Sequence, residues 1–255
     1  VSALILNDRT FSLEHPVVMG IVNVTPDSFS DGGDFLDPAA AIEQGCRLVQ
    51  EGAAILDIGG ESTRPGAEDV DAEEECRRVI PVIEGLAARV DVPLSIDTSK
   101  AEVAARALTA GACIVNDITG LRDPDMAATA AAAAAAVIVM HTRGRPRTML
   151  QQTDYGDLIG EVMGFLQERA SLARAAGVQC FVVDPGIGFA KTPEQNYELM
   201  KHMKRFTELG YPLLIGPSRK SFIGKLTGQP AEERIEGTIA ACVLGVLAGA
   251  RILRV

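Results

Sequence analysis

Asn23, Asp57, Asp97, Asn116, Asp117, His141 and Asp184 share one property in this 255-residue sequence: each stands just after a short apolar run or, for Asp57, within its last two residues. Ser218 to Lys220 follow another such run, and Arg254 lies inside the last one. One polar residue in such a place most often caps the loop that follows. A series of them at the same end of successive runs points instead to a shared pocket. Converging carboxylates and carboxamides match a flat heterocycle carrying several N–H donors, while Lys220 and Arg254 can meet a carbonyl or a phosphate.

The runs that must position these groups are Val17–Val22, Ile55–Ile58, Leu94–Ile96, Cys113–Val115, Val137–Met140, Phe181–Val183, Leu213–Ile215 and Arg251–Val255. Amphipathic stretches separate them. Cys76, Val79, Ile83 and Leu86 fall on one helical face, as do Ile42, Cys46 and Val49, then Ile159, Val162 and Leu166, then Leu199, Met203 and Phe206. Pro81 predicts a kink in its helix, and the alanine tract from Ala130 to Ala136 predicts helix. Eight strands alternating with helices predict an α/β fold of the TIM (β/α)8 barrel type. No G-x-G-x-x-G follows the first run, which disfavours an open doubly wound sheet. Leu4–Leu6 and Thr10–Leu13, flanking Asn7-Asp8-Arg9, predict an N-terminal β-hairpin capping the bottom of the barrel. The chain stops at strand eight, so the eighth helix of the barrel, the one that would follow that strand, is not expected within it. With no initial Met, residues are expected to be missing at both ends.

Composition narrows the function. Hydrophobic residues make up 47% of the chain and no Ser/Gly/Pro-rich linker divides it, so residues 1–255 read as a single domain. A net charge of −10 argues against a grip on nucleic acid or on an anionic membrane, so any anionic ligand must be held locally. The five cysteines lie far apart with no C-x-x-C, which reads as reduced thiols in a cytoplasmic protein. No apolar run suits a bilayer or a signal peptide.

Two loops carry unusual chemistry. The first, from Thr25 to Gly33, sets Phe29 among hydroxyls, turn residues and the carboxylates Asp27 and Asp31, and suits a lid. The second, from Gly59 to Gly66, pairs close backbone approach with Arg64, and suits an oxyanion.

Met19–Gly33 resembles the first signature of the dihydropteroate synthases, and Gly59–Gly66 resembles the second. Ser95–Thr98, Val115–Ile118, Val183–Lys191 and Gly216–Gly224 look like the rest of that set, in the family's order from strand one to strand eight. The resemblance implies an enzyme of folate biosynthesis. It would condense a dihydropterin methyl diphosphate with 4-aminobenzoate and release diphosphate, as a homodimer and a sulfonamide target. It further implies that Asn23 ligates Mg²⁺ together with diphosphate oxygens. Asp97, Asn116, Asp184 and Lys220 would hold the pterin, Arg254 would cover its face and help bind diphosphate, and Thr63 would reach the phosphates. Ile118 and Met140 would line an apolar floor, with Asp57 in support. Phe29, Arg64, Pro65, Phe189, Lys220 and Ser221 would receive 4-aminobenzoate. Asp97, Asp184, Lys220 and Arg254 would be the catalytic set, and His141 is not needed as a base. The family usually continues past Arg254-Val255 with His-Asp-Val, and that tail is expected to lie beyond the sequence.

Two rival readings use the same rim. A pterin-binding methyltransferase barrel would share the Asp and Asn pocket, but has no need of the Ser-Arg-Lys segment. A Schiff-base aldolase would use Lys220 as nucleophile, with Arg219 lowering its pKa and the carboxylates opposing this.

Overall fold

The computed structural model describes residues 3–6, 9–25, 37–62, 69–144 and 147–255. The strands are β1 (Ala3–Leu6), β2 (Arg9–Ser12), β3 (Val17–Asn23), β4 (Ile55–Gly59), β5 (Leu94–Asp97), β6 (Ile114–Asp117), β7 (Ala136–Met140), β8 (Phe181–Asp184), β9 (Leu214–Ile215) and β10 (Ile252–Arg254). The helices are α1 (Pro38–Gln50), α2 (Ala72–Ala87), α3 (Ala101–Ala110), α4 (Met126–Ala132), α5 (Leu158–Ala175), α6 (Pro193–Lys201), α7 (Ser221–Thr227) and α8 (Ile235–Leu247).

β3 to β10 form one parallel sheet in the order β8-β7-β6-β5-β4-β3-β10-β9. A parallel bridge between Val183 and Leu213 joins its two ends, so the sheet closes into the expected (β/α)8 barrel. Closure leaves no free edge for a second chain to pair with.

Because side chains alternate along a strand, each barrel strand sends one set outward to the helices and the other inward. Leu56, Ile58, Ile96, Val115, Val137, Val139 and Val183 pack outward against Val79, Ile83, Leu86, Val103, Val162 and Leu166 in the main core. The inward set starts apolar: Met19, Ile55, Ile114, Ile138, Val182, Leu214 and Ile252 share a second core with Leu4, Leu6 and Leu13. The β1–β2 hairpin therefore plugs the bottom of the barrel, as its sequence predicts. Two residues further along the same inward faces come Asp57, Asn116, Asp184 and Arg254. The switch from apolar to polar takes about 6.6 Å of rise, one layer of the barrel.

Helix starts follow their caps. Asp71 accepts from Glu74 N at 2.8 Å ahead of α2, and Thr192 with Gln195 forms a reciprocal capping box ahead of α6.

Two local expectations need correction or refinement. The alanine tract is not one helix: α4 ends at Ala132, Ala134 turns with φ 51°, and Ala136 opens β7. Pairing decides this over propensity, because Ala136 is fully buried beneath the hairpin and its N–H bonds to Cys113 O at 3.1 Å. Pro81 lies within α2, which runs on to Ala87, with the proline on the exposed side. Among the described residues, no helix is long and apolar enough to cross a membrane.

Candidate active site

The centre of the rim is an ion-pair network drawn from four strands. Arg254 reaches from β10 and donates from Nε to Asp57 Oδ2 at 2.6 Å and from Nη2 to Asp97 Oδ2 at 2.5 Å. Asn116 Nδ2 donates to the same Asp57 oxygen at 2.9 Å. Strand register makes this possible, since Asp97 lies beside Asn116 and Asp57 sits one inward position deeper than Gly59, which pairs with Asp97. Asp57 is fully buried, and its Oδ1 has no hydrogen-bond partner among the described residues. Burial pushes the Asp97 carboxyl up to about 7; Arg254 opposes the shift and the neighbouring Asp57 charge adds to it. Burial also works against the charge on Arg254, but Asp57 and Asp97 outweigh it and hold its pKa above the usual arginine value.

Across the barrel, Asp184 accepts Gly186 N–H on Oδ1 at 2.8 Å. Burial lifts its pKa to about 6 against the pull of that N–H, Lys220, Lys191 and Arg254. Lys220 Nζ sits over the Phe189 ring, 4.0 Å from its centroid. Burial and the Arg254 charge bring Lys220 down to about 8, while Asp184 and Asp97 resist. The cation pressing on Lys220 is thus Arg254 rather than Arg219, which is exposed and donates its backbone N–H to Thr238 Oγ1. Gly188 has φ +83° and lies so close that a Cβ there would be 2.8 Å from Lys220 Cδ.

Ile118, Met140 and Phe189 form one buried apolar cluster with Met149 and Ala190. The apolar floor and the Phe189 wall, assigned by resemblance to two different substrates, are thus one continuous surface. Ser221 is exposed at the start of α7, next to Lys220. Asn23 is exposed at the end of β3, in register with Gly59 at the root of the second loop. Phe29, Thr63, Arg64 and Pro65 lie outside the described residues.

The described residues contain no group of three or more His, Cys, Asp or Glu placed to hold a metal. An exposed carboxamide oxygen such as Asn23 offers a single neutral ligand. That fits a hard ion whose remaining positions are taken by substrate oxygens and water.

Several polar groups on the rim serve structure. Asp117, on the opposite strand face from Asn116, accepts from Thr119 N, Thr119 Oγ1 and Leu121 N, at 2.7, 2.7 and 2.9 Å, and caps its turn. His141 is buried, and burial with the Lys191 charge brings its pKa down to about 2, so it stays neutral. Reasoning from sequence missed Glu61 and the fully buried Glu75, which both pair with Lys100 beside the site. Only the position of Glu61 within the second loop motif hinted at it. A cleft of about 370 Å³ opens there, lined by Asp97, Lys100, Ile118 and Arg122 among others. A larger cleft of about 480 Å³ lies near Tyr211, Gly249 and Arg251, where β9 and β10 begin, and touches none of the rim groups. The chemistry belongs to the rim, where the buried charges converge.

A closed parallel barrel with buried carboxylates, a carboxamide and two cations on its C-terminal rim has the build of a barrel enzyme, whose polar groups gather where the strands end. Residues 19–255 match the family described as "Pterin binding enzyme". The dihydropteroate synthase of Synechocystis sp. is 54% identical over 93% of this chain and 84% of its own length. That of Escherichia coli is 42% identical over 99% and 90%. The Xanthomonas albilineans dihydropteroate synthase solved with 4-aminobenzoic acid superposes with a TM-score of 0.93 at 47% identity, covering 99% of this chain and 92% of that one. The Yersinia pestis enzyme solved with a sulfonamide drug complex gives 0.93 at 42%, with the same coverage. The chain belongs to the dihydropteroate synthase family of pterin-binding enzymes, transferases of folate biosynthesis.

Proposed function

We propose that the chain joins (7,8-dihydropterin-6-yl)methyl diphosphate to 4-aminobenzoate, forming 7,8-dihydropteroate and diphosphate. The observation that carries this reading is the buried array of Asp97, Asn116 and Asp184 around Arg254 and Lys220. Such an array suits a neutral ring with N–H donors whose charge turns positive during reaction. Solved relatives support the substrates: X. albilineans dihydropteroate synthase has been solved with 4-aminobenzoic acid and with 7,8-dihydropteroate.

Asp97 and Asp184 accept from the pterin N–H groups. Asn116, with Nδ2 committed to Asp57, offers its Oδ1 as a further acceptor. Lys220 meets the ring carbonyl, and Ile118 and Met140 support the ring face. Arg254 spends Nε and Nη2 on Asp57 and Asp97, which aims the rest of its guanidinium at the ring and the departing phosphates. Thr63 and Asn23 complete the phosphate end, with Asn23 the residue that would hold Mg²⁺. Bound there, the ion would neutralise charge on the diphosphate.

In the reaction, the bond from the exocyclic methylene to the diphosphate oxygen breaks and its electron pair leaves with diphosphate. Positive charge spreads into the ring, where the Asp97 and Asp184 carboxylates stabilise it. The lone pair of the aryl amine forms the new C–N bond, and the extra amine proton passes to water. An aryl amine is unprotonated at neutral pH, so no strong base is required, in keeping with a neutral His141. Phe189 and Ser221, with Phe29, Arg64 and Pro65, receive 4-aminobenzoate. Sulfonamides compete there because they reproduce the aryl amine, a reading supported by the Y. pestis complex. A homodimer through α8 accounts for the exposed Ile235, Ile239, Val243, Leu244 and Leu247.

Mass analysis of a reaction supplied with both substrates and Mg²⁺ is the test. Dihydropteroate and diphosphate in equal amounts are expected. A methylated product, or a borohydride-trapped adduct on Lys220, would overturn the reading in favour of a methyltransferase or an aldolase.

A further inference from the structure

The segment Asp184–Lys191 curls back on itself, with positive φ at Gly186, Gly188 and Ala190. A run of left-handed positions, one of them not glycine, needs an outside constraint to persist. That constraint is the loop's own last side chain. Lys191 is 3% exposed, and its Nζ lies 3.0 Å from Gly186 O, 2.9 Å from Phe189 O and 3.1 Å from His141 Nδ1.

An ammonium has three N–H donors, and here it meets three acceptors. His141 takes the acceptor part because it is neutral, which places its own proton on Nε2. The surroundings reinforce the clasp. Tyr155 Oη donates to Ala190 O at 3.0 Å, and Asn196 Oδ1 accepts Gly188 N–H at 2.6 Å. His141 N donates to Asp184 O at 2.9 Å, and the His141 ring packs edge-on against Phe165 with centroids 5.0 Å apart. A Cβ on Gly186 would lie 2.0 Å from His141 O, so the loop is seated directly on the end of β7.

We propose that Lys191 is a positioning residue for the condensation, holding the loop so that Phe189 lies under Lys220 and the Asp184 carboxylate faces the pterin. This rests on the reading above that Asp184 and Phe189 line the substrate site. Lys191 touches neither substrate in this scheme. It acts by turning two carbonyls inward and by placing a buried cation near Asp184. Burial lowers the Lys191 pKa to about 7, against the pull of Asp184, so the cation is present through the acid range in which Asp184 titrates. The charged groups acting on Asp184 are Lys220, Lys191 and Arg254, and those acting on Lys191 are Asp184, Arg143 and Lys220.

Lys191→Met keeps most of the stem and removes the donors and the charge. It is expected to fold, to raise the KM for 4-aminobenzoate at least tenfold, and to move the acid limb of pterin binding to higher pH. The shift has that sign because losing a nearby cation makes the Asp184 carboxylate harder to form. If Lys191→Met does not fold, His141→Phe removes one acceptor while keeping an aromatic ring against Phe165, and the same two changes are expected at smaller amplitude. A folded variant with unchanged KM and an unmoved acid limb overturns the positioning role, even if it melts earlier. Failure of the unsubstituted protein to form dihydropteroate would instead refute the function itself, a distinct outcome read from the parent enzyme.

Discussion

Arg254→Gln removes the guanidinium that ties β10 to β4 and β5, and the cost can be worked from the contacts. Two charge-assisted bonds are lost, to Asp57 at 2.6 Å and to Asp97 at 2.5 Å. Removing one partner from such a buried set typically costs about 3–5 kcal/mol, because the carboxylates left behind are uncompensated. For a chain of this size each kcal/mol corresponds to roughly 2–4 °C, so melting should fall by roughly 6–20 °C near neutral pH. The loss should depend on pH with a definite sign. The folded-state pKa of Asp97 is already raised, to about 7, above its unfolded value. Its contribution to stability is therefore fully present at low pH and is lost as pH rises through about 7. Without Arg254 that pKa climbs further, so the variant should be penalised more at pH 8.5 than at pH 5.5. Urea denaturation followed by circular dichroism at both pH values measures this. An equal loss at the two pH values, or a loss below about 1 kcal/mol at pH 8.5, would refute the ion-pair reasoning.

Asp184→Asn should weaken pterin binding by roughly tenfold to a hundredfold in calorimetry, the equivalent of about 1.5–3 kcal/mol for a charge-assisted bond; unchanged affinity would place Asp184 outside the pocket. Asn23→Ala should weaken Mg²⁺-dependent binding of the pterin diphosphate while sparing a pterin without phosphates, and equal effects on both would count against Asn23 as the metal ligand. Gly186→Ala should destabilise the fold by roughly 2–4 kcal/mol, since it adds strain at φ +72° to a 2.0 Å contact with His141 O. The urea midpoint reports that change, and a midpoint within error of the parent would contradict the seating of the loop on β7.

The barrel and its rim were legible because both follow from a period of two. Ile55 and Asp57, Ile114 and Asn116, and Val182 and Asp184 each place an apolar and a polar residue on the same inward face. A short apolar run thus marks both the strand and the side chain that tops it. Pairing partners were not legible in the same way. That Arg254 would engage Asp57 and Asp97 depends on β10 lying next to β3, with β4 and β5 beyond it in the closed sheet. Lys191 could be read only as the last letter of a motif, since its partner His141 is brought close by a loop with three positive φ angles. The alanine tract misled because alanine's helix preference is weak beside the gain from filling a strand position between β6 and β8. Glu75, on α2, gave no signal in the sequence, because its partner Lys100 lies 25 residues away. It is fully buried and pairs there with Lys100.

The most direct test of the central claim is a crystal structure of the protein with the pterin methyl diphosphate and Mg²⁺ bound. The expected result is a ring with its N–H edge within hydrogen-bond distance of Asp97, Asn116 and Asp184, its face against Ile118 and Met140, and its diphosphate toward Asn23 and Arg254. A ring seated in the cleft by Tyr211 and Arg251, or one whose N–H edge turns away from Asp184, would contradict it.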